Sequence, residues 1–300
     1  MTTTPSRYQR RSLARCLAVL MLLVVALPMP LLKPAPVVHA ASTCLGWTSG
    51  GTTFTTRRIQ FTSDGVLHLV GCNETFTLTD ILNADTANTI VGSEPDNFLQ
   101  LVDSSQKIWM LNIPLSIEEG ATLNLIGGSS GDVNWLRLKS GSAGIIWIRT
   151  INGTILIQNS RVSSWDPTTG TYDTTTAGAP GTDETGGGGT KPRSFIFARS
   201  YLTAGRAWNA PTSCGSGGGG RDYYEARMDV INSQIDHLGY HGSEAYGASW
   251  KVATNDTSLV PPNSRELYNR ADVFATIQNS TFTQNYFGAY TFGGYCMNVT

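Results

Sequence analysis

The sequence has few charged residues and no excess of positive charge, which argues against a nucleic-acid partner. Charged residues make up 14% of the 300 residues, with 21 Lys and Arg against 22 Asp and Glu. Removing residues 1–40, which hold five of the cations and no acid, leaves 16 cations against 22 acids. Nucleic-acid-binding domains carry clustered basic surface, so we expect no nucleic-acid partner. Thr, Ser, Gly and Asn are abundant instead, as is common in exported β-proteins that meet carbohydrate.

Motifs for common cofactor sites are also missing. No Cys-x-x-Cys pair occurs, so a zinc site is not expected. The glycine runs at 186–189 and 217–220 lack a following Gly-Lys-Ser/Thr and are not phosphate-binding loops. They are interpreted as surface loops, or as walls beside a substrate groove. His237 and His241 are four residues apart, but Gly239 disfavours the helix that would pair them on a metal. We predict no metal and no cofactor.

One long apolar run is present, and it lies near the start of the chain. Four arginines precede or border the run at 16–32, and small residues at Ala40 resemble a cleavage site. Pro28 and Pro30 leave the run short of the roughly 20 residues that a membrane span needs. We predict a cleaved signal peptide over 1–40, no membrane span afterwards, and a secreted or periplasmic protein. A membrane anchor is the alternative.

Four cysteines follow the predicted signal peptide, and an even number in an oxidising compartment favours disulfides. Cys44 and Cys72 are predicted to pair, closing a loop of 28 residues. Such a loop contributes ~3 kcal/mol to stability through the entropy of the unfolded chain. Cys214 and Cys296 are predicted to pair as well, with two free thiols as the alternative.

A short phrase recurs in the second half of the chain: a polar residue, Ser, any residue and a large apolar residue. Its copies are Asn159–Val162, Arg199–Leu202, Asn232–Ile235 and Asn279–Phe282. Each copy follows a run of alternating apolar residues, which indicates strands repeated with loops of uneven length between them. The Asn residues are interpreted as turn or ladder positions. The pattern predicts an all-β protein, a right-handed parallel β-helix.

A solenoid of this kind needs a cap where its first coil would otherwise be open. We assign a small N-terminal β cap to residues 41–110 and the β-helix repeats to 111–300. The last residues, Asn298–Thr300, resemble the opening of another strand. We therefore expect the β-helix to be incomplete at the C-terminus and the chain to be a fragment. A genuine end that a partner protects is the alternative.

Several longer phrases, in the same order along residues 105–300, resemble the mannuronan (alginate) C5-epimerase family. They are Pro114–Leu123, Lys191–Ile196, Ile235–Tyr240 and Ala245–Trp250. The resemblance implies a periplasmic β-helix scaffold that acts on an anionic polysaccharide, a uronate polymer. The Asp-Pro-His-Asp motif of that family, which carries its proposed catalytic His, is absent. The Asp-Pro at 166–167 is followed by no His.

The chemistry implied by the resemblance is removal and return of the C5 proton of a uronate. The adjacent carboxylate must be neutralised by Arg or Lys, and a base with a suitable pKa must take the proton. Loss of the C4 oxygen from the same intermediate would give a polysaccharide lyase instead. A non-catalytic carbohydrate-binding or surface protein is the alternative from another class.

The sequence identifies no catalytic residue. His241 is the candidate for proton transfer, with a hydrogen-bonded turn histidine as the alternative. The residues predicted to bind the polysaccharide are Arg193, Arg199, Arg227, His241, Tyr246 and Lys251. Solvated loop charges are the alternative for the cations, and a place in the core is the alternative for Tyr246.

Overall fold

The chain winds repeatedly through three β-sheets in this computed structural model. The structure describes residues 44–140, 146–173, 193–203, 225–240, 245–260, 267, 271–294 and 296–300. The predicted signal peptide, Cys214 and His241 lie outside the described residues, as do most of the two glycine-rich insertions.

The elements that precede the first complete coil are β1 Trp47–Ser49, β2 Thr52–Phe54, β3 Arg58–Phe61, β4 Leu67–Val70, β5 Thr75–Phe76, α1 Leu78–Thr86, β6 Leu99–Asp103 and β7 Ile108–Leu111. The next two coils consist of β8 Leu115–Ile117, β9 Thr122–Ile126, β10 Trp135–Lys139, β11 Trp147–Ile151, β12 Thr154–Gln158 and β13 Arg161–Trp165. The following coils consist of β14 Phe195–Leu202, β15 Arg227–Ile231, β16 Gln234–Asp236, β17 Gly247–Thr254, a 3₁₀ turn at Thr257–Leu259, β18 Phe274–Gln278, β19 Thr281–Thr283, β20 Phe287–Phe292 and β21 Cys296–Val299.

Successive strands enter the three sheets in a fixed order. Sheet A has the strand order β20-β17-β14-β11-β8-β4-β3, sheet B β21-β18-β15-β12-β9-β5, and sheet C β19-β16-β13-β10-β7-β6. From β8 onward each strand pairs in parallel with the strand one coil earlier. Parallel crossovers of this kind are right-handed in nearly all proteins. The predicted all-β parallel β-helix is confirmed.

The core is built from inward side chains that stack from coil to coil. On sheet B, Leu123, Ile155 and Met228 are register partners on β9, β12 and β15, and all three are buried. Along β9 and β12 the residues between them face outward, so burial alternates with a period of two. Full burial of one such side chain stabilises the fold by about 1.5–3 kcal/mol. Repetition of this stack gives one continuous apolar core.

The corner between sheets B and C consists of only two residues in three successive coils. Its first residue is an Asn with left-handed backbone, namely Asn159, Asn232 and Asn279, whose φ angles are 52°, 49° and 47°. Asn tolerates this conformation better than most residues. Asn232 Nδ2 donates to Asn159 Oδ1 at 3.3 Å, and the Ser160 N–H donates to Ser233 Oγ at 3.2 Å. These Asn residues therefore occupy turn and ladder positions, as predicted.

The fourth copy of the recurring phrase, Arg199–Leu202, is not such a corner. It lies inside β14, which belongs to sheet A. Alternation within a long strand also produces a polar residue, Ser, any residue and an apolar residue, so the phrase matched by chance. The recurring phrase thus marks a corner at three of its four copies and lies inside a strand at the fourth.

Antiparallel pairing is confined, among the described strands, to the part of the chain before β8. β1 pairs with β2, β3 with β4 and β6 with β7 in this way. Helix α1 begins with a capping box in which the Thr77 hydroxyl accepts from the Asp80 N–H and the Asp80 carboxylate accepts from the Thr77 N–H. Leu78 and Ile81 of α1 are buried in the main core. These elements pair with and pack against the first coils, at the end where a solenoid would otherwise need a further coil.

The predicted Cys44–Cys72 disulfide is present, with a sequence separation of 28 residues. Gly120 lies against it, because a Cβ at this position would come within 2.7 Å of Cys44 Sγ. Its φ of +77° is also one that side-chain-bearing residues rarely adopt. Cys296 is disulfide-bonded, and its pairing with Cys214 stays a prediction. No helix among the described residues is long and apolar enough to cross a membrane.

Candidate functional site

Two of the cations predicted to bind polysaccharide, Arg199 and Lys251, lie side by side on sheet A. They are register partners on β14 and β17. Ala198 and Ser200 are fully buried, and strand alternation therefore turns Arg199 to the outer face. Neighbouring strands are ~4.8 Å apart, so the two cations are separated by one strand spacing. We call this pair, together with the partly exposed Tyr201 of β14, the sheet A ladder.

Aromatic rings accompany both cations of the sheet A ladder. Arg199 Cζ lies 5.1 Å from the ring centroid of Phe197, and Lys251 Nζ lies 5.8 Å from that of Phe292. Such contacts stabilise a cation modestly at an exposed site. Like charges on adjacent strands repel each other, and an anion that lies across both lowers this repulsion. The ladder is therefore suited to carboxylates that repeat along a chain.

Arg193, also predicted as a binding residue, lies inside the structure. Its side chain is 2% exposed, and Nε donates to the Gly239 carbonyl at 2.8 Å while Nη1 donates to the Gln284 carbonyl at 2.6 Å. Burial lowers the pKa of its guanidinium, and the nearby charge of Asp173 opposes that shift. Arg193 thus joins the backbones of two later coils to its own.

Arg227 and Tyr246, two further predicted residues, lie apart from the sheet A ladder, whereas His241 is outside the described residues. Arg227 is on sheet B, where Nε donates to Asp229 Oδ2 at 2.6 Å and Nη2 donates to Thr276 Oγ1 at 3.1 Å. Tyr246 precedes β17 and packs in an aromatic cluster, with ring-centroid distances of 5.1 Å to Phe287 and 4.7 Å to Tyr290. The structure thus brings Arg199 and Lys251 together and leaves the others elsewhere.

A second polar cluster, which the sequence did not reveal, covers the outer face of sheet C. Its centre is Asp236 on β16, which is fully buried. Arg161 on β13 donates to Asp236 Oδ2 from Nε at 2.9 Å and also from Nη2. Gln234 Nε2 donates to the same oxygen at 2.6 Å. Charge-assisted bonds of this kind are among the stronger hydrogen bonds in proteins. We call this group, with the rings around it, the sheet C cluster.

Aromatic rings enclose the second arginine of the sheet C cluster. Arg137 Cζ lies 3.9 Å from the Trp135 ring centroid and 3.8 Å from that of Trp165. Burial lowers the pKa of the Arg137 guanidinium, a shift that Tyr172 opposes and Arg161 reinforces. Trp135 Nε1 donates to Ser163 Oγ at 2.8 Å, which fixes the indole. This arrangement holds the guanidinium in place between two rings.

His237 borders the same cluster. It has a φ of 54°, a conformation that is uncommon for non-glycine residues and often found at functional or strained positions. Its ring stacks on Tyr172 at 4.3 Å, and its Nδ1 lies 3.6 Å from Asp236 Oδ1. Across the described part of the chain, no group of three or more His, Cys, Asp and Glu residues could hold a metal ion.

The alternation of Trp135-Leu136-Arg137-Leu138-Lys139 was the one available signal for the sheet C cluster. It shows that Trp and Arg share a strand face. The carboxylate that binds this face is 75 residues from Arg161 in sequence, so it could not be assigned without the coil register.

Comparisons with known proteins return structures but no sequence family. No protein-family model matches the chain, and no curated protein matches it. A solved structure similar to this chain is the crystal structure of the periplasmic alginate epimerase AlgG, with 17% identity, a TM-score of 0.47, and coverage of 75% of this chain and 39% of that chain. A double mutant of the same protein matches at 16% identity with a TM-score of 0.46 and the same coverage. The chain thus spans 39% of the length of these structures.

Proposed function

We propose that this protein binds an anionic polysaccharide, a uronate polymer, along the outer face of sheet A. The observation that carries the proposal is the register pairing of Arg199 with Lys251, two outward cations on neighbouring strands. A sugar chain whose repeat is similar to the ~4.8 Å strand spacing can lay successive carboxylates on such a row. The phenyl ring of Phe292, which is 43% exposed, offers apolar surface beside Lys251.

The type of protein that we propose is a β-helix similar to the uronate C5-epimerases. Its support is the set of four phrases that resemble that family, together with a cationic row able to neutralise a uronate carboxylate. Neutralisation of that carboxylate is what removal of the C5 proton requires. The family's Asp-Pro-His-Asp motif is absent from the chain. The resemblance therefore assigns no catalytic base to this sequence. We expect binding of polymannuronate without turnover.

Binding is tested by titrating the protein with oligomannuronate of defined length in a calorimeter at two or more salt concentrations. The expected affinity falls as salt increases, because the contacts between ladder and polymer are charge pairs exposed to solvent. Oligomers of an uncharged sugar serve as the control for contacts that involve no charge. Equal affinity for charged and uncharged oligomers would contradict the proposal.

Two assays on polymannuronate separate the chemical alternatives. Proton exchange at C5 in deuterated water, followed by NMR, reports an epimerase. Ultraviolet absorption of an unsaturated product reports a lyase. Binding with neither signal is the result that we expect, and it supports a protein that binds the polymer without transforming it. Either signal would show that this chain holds a catalytic base that the motif comparison did not find.

We propose that the protein is exported, because residues 1–40 have the charge, apolar run and small residues of a signal peptide. The test is expression in a bacterium followed by mass spectrometry of the protein from each compartment. The expected mature chain begins at Ala41 and is recovered outside the cytoplasm. An uncleaved chain in the membrane fraction would favour the anchor instead.

A further inference from the structure

The β1–β2 hairpin and the ends of three sheet A strands line an open cavity of about 460 Å³. This volume lies within the range of about 300–1,000 Å³ that is typical of small-molecule sites. The lining combines one indole, one phenol, an amide, several hydroxyls and two carboxylates. These groups belong to Trp47, Thr48, Thr53, Glu118, Glu119, Asn152, Tyr201 and Thr203.

The lining of this cavity is fixed by contacts beneath it. Glu118 is 4% exposed. Its Oε1 accepts from Ser116 Oγ at 2.6 Å and lies 2.7 Å from His68 Nδ1. Trp47 stacks on the His68 ring at a centroid distance of 4.5 Å. A binding site whose side chains are already held in place loses less conformational entropy when its ligand binds.

The hairpin itself is fastened over the strand ends. Glu119 Oε1 accepts from the Leu45 N–H at 2.7 Å. The Cys44–Cys72 disulfide joins the residues just before β1 to the turn after β4. The hairpin is therefore a permanent wall of the cavity.

The cavity adjoins the sheet A ladder. Ile151, which lines the cavity, is the register partner of Arg199. Tyr201, another lining residue, is the next outward residue after Arg199 on β14. Along sheet A toward the hairpin, the cations of the ladder are thus followed by a cavity whose two carboxylates, Glu118 and Glu119, are buried and hydrogen-bonded. The hairpin forms the wall at this end of the row.

We propose that the cavity binds the terminal sugar residue of the polysaccharide that the ladder holds, through the hydroxyl groups of that residue. This inference rests on the proposed function. The exposed hydroxyls of Thr48, Thr53 and Thr203 can donate hydrogen bonds to sugar hydroxyls and accept them, while the two carboxylates repel a uronate carboxylate, which must point away toward the ladder. The hairpin blocks further sugar units, so the protein binds chain ends and not internal stretches.

End binding makes a prediction about stoichiometry. Mannuronate tetramer, octamer and long polymer are titrated against the full protein at equal sugar mass, and bound protein is counted by sedimentation. One protein per carbohydrate molecule is expected at every length. The number of binding sites per gram of carbohydrate therefore falls in inverse proportion to chain length. Several proteins on each long chain would overturn the inference while leaving binding along sheet A intact.

A matched pair of hairpin variants tests the cavity directly. Thr53→Trp fills the cavity, and the affinity for the octamer is expected to fall by more than about tenfold. Thr52→Trp places the same indole on the neighbouring residue of β2, which does not line the cavity, and is expected to bind like the wild type. Thermal melting confirms that both variants fold. Equal affinity of the two would overturn the cavity inference alone, whereas failure of the wild type to bind any oligomer would overturn the proposed function as well.

Discussion

The outer faces of sheets A and C both present cations on neighbouring strands, but they use them differently. On sheet C, Arg161 is bonded to the buried Asp236 and Arg137 is held between two tryptophan rings. On sheet A, Arg199 and Lys251 are adjacent in register, each beside a phenyl ring. The difference shows that outward alternation of cations does not by itself identify a binding surface. On sheet C, the carboxylate of Asp236, contributed from the next coil, gives Arg161 a structural role.

The largest expected effect is loss of Asp236, which tests whether the sheet C cations are structural. Asp236→Ala leaves Arg161, whose side chain is 26% exposed, without its buried carboxylate. Removal of one partner of a buried ion pair costs about 3–5 kcal/mol, and we expect about 3 kcal/mol in urea unfolding. Asp236→Asn, which keeps one oxygen acceptor, is the matched control and should cost less. A change below about 1 kcal/mol would show that the two faces do not differ in this way.

The next effect concerns the hairpin that walls the end of sheet A. The double variant Cys44→Ser, Cys72→Ser removes the 28-residue covalent loop and should cost about 3 kcal/mol. The same variant should also weaken oligomannuronate binding, because the cavity loses its fixed wall. Unfolding of the wild type and of the double variant, both without reductant so that the disulfide of Cys296 stays intact, provides the comparison. Unchanged stability would show that noncovalent contacts hold the hairpin in place without the disulfide.

A smaller effect distinguishes binding cations from structural ones. Lys251→Gln should lower the affinity for oligomannuronate by about tenfold and change the free energy of unfolding by less than about 0.5 kcal/mol. Lys139→Gln, an equal change on the outer face of sheet C, is the control and should leave the affinity as it was. Calorimetric titration measures both. Equal losses would indicate a general charge effect and not a site on sheet A.

The smallest expected effect concerns Asp103, which lies at the edge of sheet C. Unlike the buried Asp236, its carboxylate is exposed. The pKa of Asp103 is lowered because its carboxylate accepts from the Ser105 hydroxyl and the Gln106 N–H. The stabilisation that Asp103 contributes is therefore present above its unfolded-state pKa and is lost as pH falls through the lowered folded pKa. NMR titration should show this pKa rising toward the ordinary value in Ser105→Ala. No movement would mean that the hydroxyl is not the main cause.

The sequence was sufficient for the architecture because strand alternation and the Asn-Ser corners are local properties. Asn159, Asn232 and Asn279 could be recognised without knowing which strands pair. The copy at Arg199 misled because a long strand satisfies the same short phrase. The Cys44–Cys72 disulfide followed from cysteine number and spacing alone.

The sites were harder to predict, since they depend on which coil lies beside which. Arg199 and Lys251 are 52 positions apart in the printed sequence and become neighbours only through coil register. Asp236 reaches Arg161 from the next coil, and Tyr172 reaches the same cluster from the start of an inserted segment. Residue type indicated that cations would matter, but only the pairing of strands shows that Arg161 meets Asp236 and that Arg199 lies beside Lys251.

The two-residue corner between sheets B and C has a consequence for engineering. Its side chains hydrogen-bond to the equivalent residues of the next coil. An added residue there would therefore disrupt the contacts of several coils together. The corner between sheets A and B, by contrast, is two residues long after β11 and far longer after β14. Foreign peptides and affinity tags should therefore be grafted at that second corner, where the scaffold already accepts segments of very different length.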